Sequence, residues 1–444
     1  MSTLPPTHSP RRALLWPAVL VTILTGMGFA GLKFVLIGEI ALGFDPAHPP
    51  IMPFVWLDDV LHSAIAKGTL KEAITQGLAA VLTLGVLIGY LVNAPLAGAW
   101  RVAWLFVLSS AGVGLGALLT LWFNPWLTSL FVGLAYGTAC AARGKVVPLI
   151  AAASGRSNTL VMGVINASLV ISLLAGTVMG TLLNEKIDSP TARHVALFLF
   201  AVLATVVGLK VNPPEAPPIP FSVGMRDLVM GTAVMVRDRW ALIVGGGLAW
   251  GIASAAVLAA FIDAIERLHM KPEHAVILVI FPAIGAIIGN LASYRMDRNV
   301  HVVIAYVALG ALIAGYQILV QGFLSGAFSL VFLGALFAAP TNVLDAKLMA
   351  FAAAQGNPGR GSTVMSLVHN VFILAIGSGL AIALFLGWMR PVDQFYSLAA
   401  VAVITAIVTI WAHLDDIDPS AERSFSGEES EPVKKPVLAE RDSE

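Results

Sequence analysis

Polar residues break this chain at nearly regular intervals, and the apolar runs between them are long. Twelve such runs lie near 13–43, 74–98, 102–122, 126–142, 159–183, 194–211, 239–264, 274–293, 301–320, 325–346, 363–388 and 394–413. Each has a length at which an α-helix crosses a hydrocarbon core of about 30 Å. Gly and Pro occur inside the runs, as membrane helices tolerate. The pattern predicts an all-α membrane protein with twelve transmembrane helices.

Composition agrees. Hydrophobic residues make up 58% of the 444 residues, charged residues 12%, and the mean hydropathy is +0.85. So few charges would not cover a soluble chain of this length. The formal net charge is zero, which offers no footprint for nucleic acid. The single cysteine, Cys140, allows no intrachain disulfide and reads as a small packed residue. Arg11 and Arg12 precede a run longer than a signal peptide's apolar region, so the first run reads as an uncleaved helix.

A second pattern repeats on a larger scale. Lys145, Ala151-Ala152-Ala153, Gly155, Thr159, Val161-Met162 and Asn166 recur in order as Lys347, Ala352-Ala353-Ala354, Gly356, Thr363, Val364-Met365 and Asn370. The lysines are 202 residues apart (347 − 145) and the asparagines 204 (370 − 166). A drifting offset is what a duplicated unit with small insertions gives, and it predicts two pseudo-symmetric six-helix bundles. The Pro-rich stretch from Asn212 separates six runs from six. The expected organisation is a first bundle over 1–211, a cytoplasmic linker over 212–238, a second bundle over 239–413 and a disordered tail over 414–444. With the N-terminus inside, cytoplasmic segments hold fourteen Lys and Arg before the tail against seven outside, which places both termini in the cytoplasm. The stretch 44–73 reads as an amphipathic helix at the interface or as a cap on the helix ends.

No catalytic constellation, metal-binding spacing or phosphate loop stands out, so no enzyme, cofactor or metal is expected. Lys33 is the sharpest single residue, since a charge between Leu32 and Phe34 either faces a polar cavity or snorkels to the interface. Glu39 ends the first run and Asp263 the seventh, 224 residues apart (263 − 39). They are the titratable acids available for proton coupling, although Asp263 beside Arg267 also reads as a surface ion pair. Arg143 and Lys145 end the fourth run, where they attract an anionic group or satisfy the charge bias. Asn166, Asn342 and Asn370 are expected to hydrogen-bond neighbouring helices, and His369 titrates near neutrality or packs. Gly176/Gly180 and Gly285/Gly289 predict close helix contacts.

The stretches Gly133-Leu134-Ala135-Tyr136-Gly137, Val161-Met162-Gly163-Val164-Ile165-Asn166 and Leu174-Ala175-Gly176-Thr177 resemble helices four and five of the bacterial lysophospholipid transporters. That family belongs to the major facilitator superfamily. Leu248-Ala249-Trp250-Gly251 resembles its seventh helix, Ala338-Ala339-Pro340-Thr341-Asn342 its tenth, and His369-Asn370 its eleventh. The family's first-helix acid is absent: the corresponding run is Gly28-Phe29-Ala30, with Lys33 one turn after Phe29 on the same face. The gating motif between helices two and three is reduced to 94–101, ending in Arg101.

The resemblance implies a transporter in the bacterial inner membrane that moves lysophospholipids inward by alternating access, with a membrane-associated acyltransferase as partner. It suggests Lys33, Lys145, Asn166, Trp250, Asn342, His369 and Asn370 for substrate, and Glu39, Arg101, Arg143 and Asp263 for gating or coupling. Two other readings stand beside it: a proton-coupled transporter of a small solute, and a non-transporting membrane factor that assists lipid or pigment delivery or complex assembly.

Overall fold

The computed structural model describes residues 15–42, 70–154, 158–213, 220–296, 298–354 and 358–412. The expectations for 44–73 and for the tail fall almost wholly outside them. Fourteen α-helices run in chain order: α1 (Leu15–Leu36, continued by a π-turn Ile37–Leu42), α2 (Leu70–Ala99), α3 (Val102–Leu119), α4 (Pro125–Ser154), α5 (Asn158–Lys186), α6 (Pro190–Gly208), α7 (Phe221–Glu266), α8 (Pro272–Leu278), α9 (Phe281–Ala292), α10 (Asn299–Ala314), α11 (Tyr316–Leu319), α12 (Phe323–Ala354), α13 (Pro358–Phe385) and α14 (Asp393–Ile410). Among the described residues ten helical stretches are long and apolar enough to cross a membrane, and the seventh joins α8 to α9 across a break before Pro282. α4 and the shorter α10 complete twelve crossings among the described residues.

The duplication is visible in how the helices end. α4 stops at Ser154 and α5 starts at Asn158, while α12 stops at Ala354 and α13 starts at Pro358, an offset of 200 at both joints. Packing repeats too. α1 pairs with α5, α2 with α4 and α3 with α6; in the other half α7 pairs with α13, α9 with α12 and α10 with α14. This gives two six-crossing bundles, joined chiefly where α2 meets α13 and α7 and where α5 meets α8.

Small residues set the closest crossings, as expected. A Cβ on Gly180 would lie 2.3 Å from the Gly31 carbonyl oxygen, and one on Gly285 would lie 1.9 Å from that of Val331. Neither distance admits a side chain, so α1–α5 and α9–α12 pack backbone to backbone. The outward faces carry large apolar side chains such as Leu199, Ile287 and Phe328, which suit a hydrocarbon surround.

Two features depart from the sequence expectation. The segment expected as linker is helical from Phe221, and α7 runs 46 residues with a kink at Arg239 (φ −139°, ψ 37°). Pro220 caps the new helix at its start. The π-turn after α1 is the second. It frees backbone carbonyls, and the Asn184 amide from α5 donates to those of Phe34 (2.9 Å) and Val35 (3.2 Å).

Candidate functional site

In the first bundle the chemistry gathers where α4 faces α1. Tyr136, Cys140 and Arg143 share one face of α4 at spacings of four and three residues. The Tyr136 ring stacks on Phe29 of α1 with centroids 4.0 Å apart. Arg143 Nη1 donates to Tyr136 Oη (3.2 Å) and Nη2 to Cys140 Sγ (2.8 Å), with the guanidinium carbon 5.2 Å from the Tyr136 ring centre. Arg143 is only 9% exposed. Among the described residues its partners are a phenol, a thiol and a ring face, all uncharged. Lys33 lies on the Phe29 face of α1. Its ammonium stands 5.9 Å from the Phe34 ring centre, and no carboxylate meets it among the described residues.

Two other arginines, Arg193 and Arg267, differ in one respect. Arg193 of α6 donates to Glu39 (3.1 Å), whose second oxygen lies 3.3 Å from His194. His194 in turn meets Thr120 (2.8 Å). Arg267 grips Asp263 with two bonds (2.9 and 2.8 Å), and Gln317 adds a third contact. Both acids therefore serve ion pairs inside their own bundles, at the end remote from the termini. The Asp263 pair is more enclosed than a surface cluster, because that acid is 9% exposed. A buried charge without a counterion costs several kcal/mol. By this measure Arg143 differs from Arg193 and Arg267, and Arg239 of α7, which lies over the Phe351 ring (5.0 Å), is like it in making no carboxylate ion pair among the described residues.

The second bundle holds a different group. His369 Nε2 of α13 lies 3.5 Å from Asp345 Oδ1 of α12. Trp250 of α7 packs over the His369 ring (centroids 5.3 Å, planes 30° apart) and takes Phe337 against its edge (5.2 Å). Gly246 leaves room beside the pair: a Cβ there would touch both Asp345 and His369. Trp250 and His369 were read separately in the sequence, and the structure brings them together. Asp345 was missed, because it sits near the end of its run among ordinary loop charges. The signal was available: Asp345 follows Arg143 by 202 residues (345 − 143), the offset of the lysine pair.

The remaining expected residues are placed as follows. Lys145 donates to the Trp100 carbonyl (2.5 Å), tying α4 to the α2–α3 turn. Arg101 is exposed at the start of α3. Asn370 donates to Ser366 of its own helix (2.7 Å) rather than to a neighbour. Such a bond to the carbonyl one turn back is open to any short polar side chain in a helix. Asn342 is half-buried two residues after Pro340. The side chain of Asn166 lies outside the described set.

Side-chain contacts join the bundles at the end remote from the termini, where Phe34 meets Phe261 edge-on (5.4 Å) and Gln76 donates to the Ala255 carbonyl (3.3 Å). Along the seam between α5 and the α8–α9 break runs a cleft of about 690 Å³, lined mostly by apolar side chains such as Met27, Leu174, Val178, Phe200 and Ile280, with Lys186 also on its wall.

No family model matches the chain, and no curated protein does. Among solved structures the chain is similar to the human organic anion transporter MFSD10 (TETRAN), with a TM-score of 0.62 and 16% identity over 90% of this chain and all of that one. That likeness shows the fold, the major facilitator type.

Proposed function

We propose that this protein is a secondary transporter that moves an anionic amphiphile across its membrane by alternating access. The observation that carries this reading is Arg143, a buried guanidinium whose partners among the described residues are all uncharged, while Arg193 and Arg267 have carboxylates. An anionic group entering between α1 and α4 supplies the missing counterion. Lys33 adds a second cation on the same side of α1, and the Phe29–Tyr136 stack gives an apolar wall. The α5–α8 cleft suits an acyl chain, since it offers hydrocarbon contact and almost no polar surface. The contacts Phe34–Phe261 and Gln76–Ala255 then close the remote end, and rocking of the bundles about the α2–α13 and α5–α8 seams exchanges access.

Within that class the substrate we favour is a lysophospholipid: one phosphate for Arg143, one chain for the cleft. The solved transporter of similar fold is described as carrying organic anions, which shares the charge requirement. On the charge bias the termini are cytoplasmic, the remote end faces outward and the protein is a multi-pass protein of the bacterial inner membrane, with 1–211 and 239–413 as the moving units.

Cys140 makes this testable, because it is the chain's single cysteine and touches Arg143. Lysophosphatidylglycerol is expected to slow maleimide labelling of Cys140 in proteoliposomes and to cross them in the protein's presence. Arg143→Gln should lose both effects and Arg143→Lys should keep part of each. Equal labelling with and without the lysolipid, alongside unchanged permeability, would sink the proposal.

A further inference from the structure

Resting on that reading, we propose that Arg239 is a second anion contact, at the termini-side mouth of the second bundle, and that the substrate's phosphate passes from Arg143 to Arg239 before release. The sequence places three charges in a row, Arg237-Asp238-Arg239. A neighbouring carboxylate is at hand, but Arg237 takes it, with Nε donating to Asp238 (2.8 Å) on the exposed side of α7. Arg239 turns the other way. It is half-buried, its guanidinium lies over the Phe351 ring of α12 (5.0 Å), and its enclosed Nε has no hydrogen-bond partner among the described residues. A ring face attracts the cation without satisfying an N–H, so the place is suited to an incoming acceptor.

The break in α7 falls at Arg239 itself, so the helix before it and the helix after it are aimed separately. Before the break α7 exposes Val229, Met230 and Val236, whereas from Ala241 to Ile265 no residue is exposed. Next to the break the exposed indoles of Trp240 and Trp411 pack together (5.9 Å), as tryptophans do at a membrane interface. An arginine at that level ordinarily reaches out to lipid headgroups. This one points inward, at α12. Along α7, Arg239 meets Phe351, Gly246 adjoins Asp345 and Trp250 meets Phe337, so one strip of the helix faces α12 throughout. The same strip meets His369 of α13, and α13 reaches across the junction to α4, the helix of Arg143. Arg143 lies 18 residues from the remote end of α4 (143 − 125) and Arg239 lies 27 from that of α7 (266 − 239). At 1.5 Å per residue, Arg239 is about 13 Å nearer the termini side.

Two cations at different depths do different work. Arg143 is 9% exposed and holds an anion where little water competes, whereas the half-buried Arg239 holds it where water screens the charge. The passage therefore runs from the tighter contact to the looser one, as release requires. The planar guanidinium suits a phosphate at both stations. The contacts Phe34–Phe261 and Gln76–Ala255 close the remote end in this conformation, which leaves the termini side for exit. Because the two arginines belong to different bundles, rocking changes their separation and moves the anion from one to the other.

The test compares right-side-out and inverted membrane vesicles carrying the full chain, so that lysophosphatidylglycerol meets one face at a time. Arg239→Gln should raise KM about tenfold from the termini-side face, the worth of a charge-assisted contact screened by water, and less than about twofold from the remote face. Cys140 protection, which reports on Arg143, should change by less than about twofold. Arg239→Lys should recover part of the lost affinity. A termini-side KM within about twofold of wild type overturns the proposal. So does an equal rise on both faces with weakened Cys140 protection, the mark of a structural role. In either case wild-type flux and protection keep the transporter reading standing. Wild-type protein that gives neither flux nor protection overturns that reading, and this one with it. Should Arg239→Gln fail to fold, Arg239→Lys decides: a rise of about threefold confined to the termini-side face supports the proposal, and any result without that sidedness overturns it.

Discussion

The two bundles share a scaffold and differ in what they mount on it. Helix ends, crossing partners and glycine contacts repeat with an offset near 200 residues, yet position 143 carries an arginine and its counterpart 345 an aspartate. Around Arg143 are a phenol and a thiol; around Asp345 are an imidazole and an indole. The comparison separates two kinds of constraint. Backbone contact leaves no choice of residue, so both copies keep it, whereas an interior side chain facing its neighbour is free to diverge. Function on this account lives in the differences between the halves.

The most damaging substitutions should be symmetric. Gly85 of α2 and Gly285 of α9 are 200 residues apart (285 − 85), and Gly85→Leu and Gly285→Leu each push a side chain into a carbonyl oxygen already 2.2 or 1.9 Å from the missing Cβ. Each is expected to cost about 3 kcal/mol or more and to lower the folded yield to a similar extent. Size-exclusion profiles after solubilisation measure this. If only one of the pair loses folded protein, the shared scaffold is less equivalent than its geometry.

The site substitutions should be asymmetric. Arg143→Ala removes the cation that meets the anion and is expected to weaken lysophosphatidylglycerol binding about 100-fold, the worth of a charge-assisted contact. Asp345→Asn should shift the same binding by no more than about twofold, since the acid carries no part of the anion's contact. Equal losses at both positions would mean that the halves form one undivided binding site.

Much of the scaffold was legible in the sequence and less of the site. Run length located the helices because a bilayer fixes how much apolar chain a crossing needs. The repeated order around Lys145 and Lys347 located the two halves. Arg143 was visible as a charge, but whether it had a counterion depends on which helices meet, and no spacing along α4 reveals that. Lys145 looked equally suited to an anion, yet it is used on the Trp100 carbonyl. Asp345 was hidden for the same reason, since its partner His369 lies on another helix. The π-turn had no hydrophobic signature, because Ile37–Leu42 is apolar apart from Glu39 in either helix type.

The acids at the remote end offer a smaller contrast. Asp263 makes a two-pronged pair with Arg267 and is 7% exposed in its side chain, whereas Glu39 is 21% exposed. Asp263→Asn is expected to cost about 2 kcal/mol and Glu39→Gln about 1 kcal/mol, because water screens the second more. Thermal unfolding in detergent compares them. The reverse order would show that the Glu39–Arg193–His194 cluster acts as one network.

The smallest expected effect tests a feature found in one half alone. Asn184 closes the π-turn after α1 by donating to the Phe34 and Val35 carbonyls, and a Cβ on Gly38 would overlap its amide at 1.9 Å. At the matching place after α7 the chain ends in the Asp263–Arg267 pair, with no amide reaching in from α13 among the described contacts. Asn184→Ala should therefore cost about 1 kcal/mol, since the π-turn keeps its own backbone bonds and loses only the bridge. Amide hydrogen exchange sharpens this, as protection should fall over 34–42 and remain unchanged over 258–266. A uniform loss across both segments would mean that the bridge stabilises the junction of the bundles rather than the first bundle's own turn. Phe34 is where the two accounts divide: its carbonyl takes the Asn184 bond while its ring meets Phe261. If Phe34→Leu reproduces the exchange pattern of Asn184→Ala in both segments, the ring contact rather than the amide sets local stability there.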